Sequence, residues 1–137
     1  MQYVNSRMVA VFAVVVIAGV AGIQASNAQQ TPSVKRNLVM KQDMDVPGRE
    51  AVMALVELPP GSAEGNHTHP AEVYVFVQEG TITLENEGKP TATLKAGDVF
   101  FIAPGKIHQA INNGNVTAKL AAVFVAEKGK PLTTPVK

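Results

Sequence analysis

The chain has 137 residues, no cysteine and nearly balanced charge, with 12 basic and 11 acidic side chains. Without a basic cluster it lacks the electrostatic footprint of a nucleic-acid partner, and without cysteine it has no disulfides and no cysteine for lipid attachment. The length sets one domain as the default.

The chain opens with a single positive charge, Arg7, followed by an uncharged apolar run over 8–23 and the small-residue stretch Ala25-Ser26-Asn27-Ala28. This order of charged, apolar and small-residue regions predicts a signal peptide over 1–28, cleaved after Ala28. The product is then exported, periplasmic or secreted, with no stable membrane association. The alternative is a retained membrane anchor, but the run is short for a span of roughly 17–25 residues. Setting Arg7 aside leaves basic and acidic residues equal at 11 each.

Residues 29–50 read as an N-terminal arm with a first strand over 34–40. From there the pattern is short apolar runs broken by turn residues. Segment 51–58 (AVMALVEL) predicts a strand that ends at Pro59-Pro60-Gly61. Segment 73–77 (VYVFV) is an unbroken β-branched and aromatic strand signal. Glu79-Gly80 turns the chain into 81–85 (TITLE), which alternates cleanly, and 91–94 (TATL) follows a loop. Further strands are expected over 99–102, 109–111 and 118–126, with the Asn113-Gly114 pair typical of tight hairpins before the last. Residues 127–137 read as a proline-containing tail. About eight evenly spaced strands without helical periodicity predict an all-β sandwich or barrel. Inward-facing Val73, Val75 and Val77 would turn Tyr74 and Phe76 outward, and outward aromatics on a small domain favour a homodimer.

The chain has three histidines, and two of them form the pair His67-Thr68-His69. Side chains alternate along an extended segment, so the two imidazoles project to one side. One strand cannot wrap around an ion, so a third ligand must come from elsewhere, and His108 is the remaining histidine. Three neutral imidazoles, or three and a carboxylate, suit one divalent first-row ion while leaving positions open for substrate or water. Zinc, iron, manganese, nickel and copper all remain open. Asn112, beside Asn113-Gly114, reads as a turn residue and not as a ligand.

Two stretches, Gly61-x5-His67-x-His69-x2-Glu72-x7-Gly80 and Gly97-x5-Ala103-Pro104-Gly105-x2-His108-x3-Asn112, resemble the paired motifs of the cupin superfamily. The likeness runs from 51 to about 126, and the close of the chain is similar to small exported single-domain cupins. It implies a jelly-roll barrel (a double-stranded β-helix) over 51–126 with a metal inside. The departures are Ala103, where the family usually has proline, and the carboxylate. Counted back from Gly80, the family's glutamate falls on Val73, and Glu72 lies one residue early. A one-residue slip turns a side chain to the other face of a strand, unless Pro70 kinks the chain enough to restore it. Glu72 is therefore either a fourth ligand or a rim carboxylate for proton transfer, and the site is His67, His69 and His108 with or without it.

Three functions fit this reading. One is a metal-dependent enzyme, of oxygenase or isomerase type, acting on a small organic molecule. Another is a non-catalytic module that binds a small ligand or the metal itself. The last is a structural barrel with a vestigial site.

Overall fold

A computed structural model describes residues 32–137; the expected signal peptide over 1–28 lies outside the described residues. Ten strands follow one another: β1 (Lys35–Asp43), β2 (Arg49–Leu58), β3 (His67–Thr68), β4 (Ala71–Glu79), β5 (Thr81–Asn86), β6 (Ala92–Lys95), β7 (Val99–Ile102), β8 (His108–Ile111), β9 (Ala118–Glu127) and β10 (Thr134–Pro135). They form two five-stranded antiparallel sheets, in the orders β1-β2-β9-β4-β7 and β10-β3-β8-β5-β6. Among the described residues no helix is long and apolar enough to cross a membrane.

The sheets take shape because the strands alternate. β4 buries Val73, Val75 and Val77 and exposes Tyr74 and Phe76. β9 buries Leu120, Ala122 and Phe124, and β2 buries Val52, Ala54, Val56 and Leu58. Ile82 and Leu84 from β5, Ala110 from β8 and Ile102 from β7 join these in one core. Each fully buried valine, leucine or isoleucine stabilises the fold by roughly 1.5–3 kcal/mol. Several inward positions are only alanine (Ala54, Ala110, Ala122), so the middle of the barrel is not filled.

Two of the corners that carry the chain between sheets are closely specified. Gly80 alone links β4 in one sheet to β5 in the other, at a φ of 75°. A Cβ there would sit 2.9 Å from the Ala118 Cα, so both the backbone angle and the space require glycine. The second corner corrects the hairpin expected at Asn113-Gly114. β8 and β9 lie in different sheets and do not pair. Asn112 is instead fully buried and ties the corner together. Its Nδ2 donates to the carbonyls of Leu58 (2.7 Å) and Val116 (2.8 Å), and its Oδ1 accepts from the Gly114 N–H (2.8 Å). Asn-Gly sequences favour any tight reversal with local side-chain bonding, and a hairpin is only one of them.

The chain ends also differ from the sequence reading. The segment beyond Glu127, expected as a tail, returns to the barrel and adds β10 to the edge of β3, pairing Thr134 with Thr68. At the other end, β1 pairs only with β2, and all nine of its residues are exposed.

Candidate metal centre

His67 lies on β3 directly opposite His108 on β8, and His69 follows one residue after β3. All three are buried. Their ring centroids are 4.3 to 4.9 Å apart, and one ligand atom from each lies within 4.8 Å of the others. Two neighbouring strands thus supply the three rings, with alternation bringing His67 and His69 to the inner face and strand pairing adding His108.

The hydrogen bonds fix which nitrogen faces the centre. The Nδ1 of His67 is 2.7 Å from the Gly65 carbonyl, that of His69 is 2.7 Å from the Leu132 carbonyl, and that of His108 is 3.0 Å from the Lys106 carbonyl. A carbonyl only accepts, so each Nδ1 carries the proton. In the neutral ring each Nε2 then keeps its lone pair. Burial pushes the His69 imidazole down to about 4, against the opposing pull of its Leu132 hydrogen bond. Burial also lowers His108. Burial thus favours the neutral, metal-ligating form of both rings. The donor set fits a divalent first-row ion: three neutral nitrogens in one buried cluster, each oriented by a backbone carbonyl.

The histidines line a cavity of about 60 Å³ inside the barrel. A water needs roughly 10–15 Å³ on this measure, so the space admits a molecule of only a few heavy atoms. Apolar side chains make most of the wall, including Val73, Leu84, Ile102 and Phe124. Phe124 meets His69 edge-to-face at 5.0 Å.

Glu72, expected either as a fourth ligand or as a rim carboxylate, is not brought to this cluster. It points outward from β4, where its Oε2 accepts a hydrogen bond from the Tyr74 hydroxyl (3.1 Å). The inward neighbour is Val73, which lines the cavity. Pro70 does not shift the strand: alternation is regular from Ala71 onward, so the one-residue offset puts Glu72 on the opposite face. Glu72 is also absent from the residues that line the cavity.

Sequence reasoning missed two polar residues in the cavity wall, Arg36 and Glu64. They are 28 positions apart, and only the return of β1 over the loop before β3 brings them together. It also missed Leu132 and Thr133, which stand behind His69. Asn86, paired across the sheet with His108, has a buried Oδ1 with no partner among the described residues.

This fold and this cluster define a small β-barrel built around a candidate metal site. The cupin domain family matches residues 54–124, and the chain belongs to that family. It is 35% identical over 92 residues to the oxalate-binding protein of Thermotoga maritima, an alignment covering 65% of this chain and 72% of that protein. It is 37% identical over 89 residues to germin-like protein subfamily 2 member 1 of Arabidopsis thaliana, covering 59% of this chain but only 41% of that protein. The chain is thus comparable to well under two thirds of the germin-like protein. In fold it is similar to a conserved Klebsiella pneumoniae protein with a double-stranded β-helix domain (TM-score 0.64, 22% identity, 77% of this chain and 89% of that one).

Proposed function

We propose that His67, His69 and His108 hold one divalent first-row metal ion through their Nε2 atoms, and that a small organic molecule binds beside it. The observation that carries this reading is the three buried imidazoles, each with Nδ1 spent on a backbone carbonyl. A metal there would act as a Lewis acid on an oxygen donor of the bound molecule. The chain's own contribution is to orient the rings, exclude water with apolar walls and limit ligand size.

Binding without turnover is the better-supported form of this function. Among the described residues Glu64 is the one carboxylate in the cavity wall, and both of its oxygens are already engaged, which argues against a free general base. The name of the Thermotoga relative, an oxalate-binding protein, points the same way. An oxygenase- or isomerase-type enzyme is the second reading; turnover of a small acid by the metal-loaded protein would establish it.

Metal analysis tests the central claim. Purified protein should contain about one equivalent of a divalent ion per chain, and a chelator should remove it with a fall in Tm. Less than about a tenth of an equivalent after exposure to zinc or manganese would defeat the proposal.

We further propose that the mature chain begins near Gln29 in an exported product, which N-terminal sequencing of that product checks. A homodimer through the outer face of the β4-containing sheet is the proposed assembly. Tyr74 (50% exposed), Phe76 (45%) and Phe101 (38%) support it, since they form one apolar surface there.

A further inference from the structure

The cavity holds one pair of opposite charges, Arg36 and Glu64, and the two members are held very differently. Glu64 is fixed. Its backbone N–H donates to the Ala110 carbonyl (3.0 Å), its Oε2 accepts from the Ala110 N–H (3.2 Å), and its side chain is only 11% exposed. Arg36 projects from the edge strand β1 and keeps 41% of its side chain exposed. Its Nη2 donates to Glu64 Oε1 at 2.9 Å, the guanidinium's single hydrogen bond among the described residues. A guanidinium has five N–H donors in a planar fork, so most of its donating capacity is left for something else at this wall.

Charge balance says what that is. The wall's two ionised side chains, Arg36 and Glu64, cancel each other. A divalent ion on three neutral imidazoles would then add two uncompensated positive charges to an apolar interior. Buried charge of one sign is strongly unfavourable unless paired. Glu72 faces away and no carboxylate among the described residues joins the cluster, so an anionic ligand would balance the ion's charge better than a neutral one.

We propose that Arg36 is the specificity-determining residue of this cavity, and that it selects a small dianion, with one acidic group at the metal and the other on the guanidinium. Glu64 is its positioning residue: a carboxylate pinned to β8 holds the fork of a half-exposed side chain over the cavity. The class is short dicarboxylates and similar two-headed acids, since a cavity of about 60 Å³ excludes longer ones. Arginine suits this task because its fork matches a carboxylate with two parallel bonds.

This inference rests on the metal-centre reading, and the test separates the two. The full chain is loaded with cobalt(II), whose visible spectrum reports its open positions. It is then titrated with oxalate and, separately, with imidazole, a neutral metal ligand of similar size. Arg36→Met should keep its cobalt, lose at least about tenfold in oxalate affinity and bind imidazole as the wild type does. Arg36→Lys, which keeps the charge but not the fork, should recover part of the oxalate affinity. Oxalate affinity of Arg36→Met within about twofold of wild type would overturn the assignment while leaving the metal centre standing. Equal losses for both probes would also overturn it, because the residue would then support the metal and not read the ligand's charge. Failure of the wild-type chain to take up cobalt would defeat the metal-centre reading itself, and this assignment with it.

Discussion

Each of the three histidines answers to a different part of the backbone: His67 to Gly65, His108 to Lys106 and His69 to Leu132, 63 positions away. Replacing His108 with alanine should abolish stoichiometric metal binding and lower the Tm of metal-loaded protein toward that of the stripped form, as metal analysis and calorimetry would show. Glu72→Gln, by contrast, should leave metal content unchanged, because its carboxylate faces outward onto Tyr74. The metal-free protein should also respond to acid. The His69 imidazole is held at about 4 when folded, against 6.5 as its ordinary value. Its neutral form therefore contributes stability fully above pH 6.5, and that contribution is lost as the pH falls toward 4. Thermal melts of the stripped protein between pH 7 and 4 should show this decline, and His69→Asn should flatten it. The histidines were readable from sequence because alternation and motif spacing both report which way a side chain faces. The same logic identified Val73 as the residue at the family's carboxylate position. It could not decide whether Pro70 bends the chain, which depends on how Ala71 pairs with Ala126.

At the scale of elements, the strands of four residues or more were legible and the two-residue ones, β3 and β10, were not. β2, β4, β5 and β9 bury every second residue, so their sequences carry the signal. β10 is two residues long, includes a proline and exists through its pairing with β3, a long-range contact that leaves no periodicity. Its functional weight is larger than its length suggests, since the preceding Leu132 carbonyl orients His69. Removing residues 131–137 should weaken metal affinity about 10–100-fold, the usual loss when a ligand's supporting partner goes, while the far-ultraviolet spectrum stays that of a β protein. Competition against a metal indicator would measure it. The corner at Gly80 makes a different prediction. Gly80→Ala meets both an unfavourable φ and the Ala118 backbone, and should destabilise the fold by about 1–3 kcal/mol in denaturant melts without changing metal stoichiometry.

For the whole molecule, the two sheets have unequal outer faces. The sheet containing β4 shows an apolar surface built from Met53, Tyr74, Phe76, Val99, Phe101 and Val123. The alternation of VYVFV foretold that Tyr74 and Phe76 would point outward, but β7 and β9 had to be placed beside β4 before the aromatics formed one surface. Sedimentation equilibrium should find a dimer, and Phe76→Glu, which puts a charge in the middle of that surface, should shift it to monomer with metal content intact. A monomeric wild type would remove the assembly from the proposal and leave the interior site untouched.

The family match ends at residues 54 and 124, yet Arg36, Leu132 and Thr133 all reach the cavity from outside that interval. The barrel therefore provides the histidine cluster, while β1 and the segment after β9 complete the cavity wall. Under the proposed function, such an arrangement would let ligand preference change with little alteration of the barrel strands themselves. Grafting a different first strand onto the same β2–β9 body would be an economical way to retune what the cavity accepts.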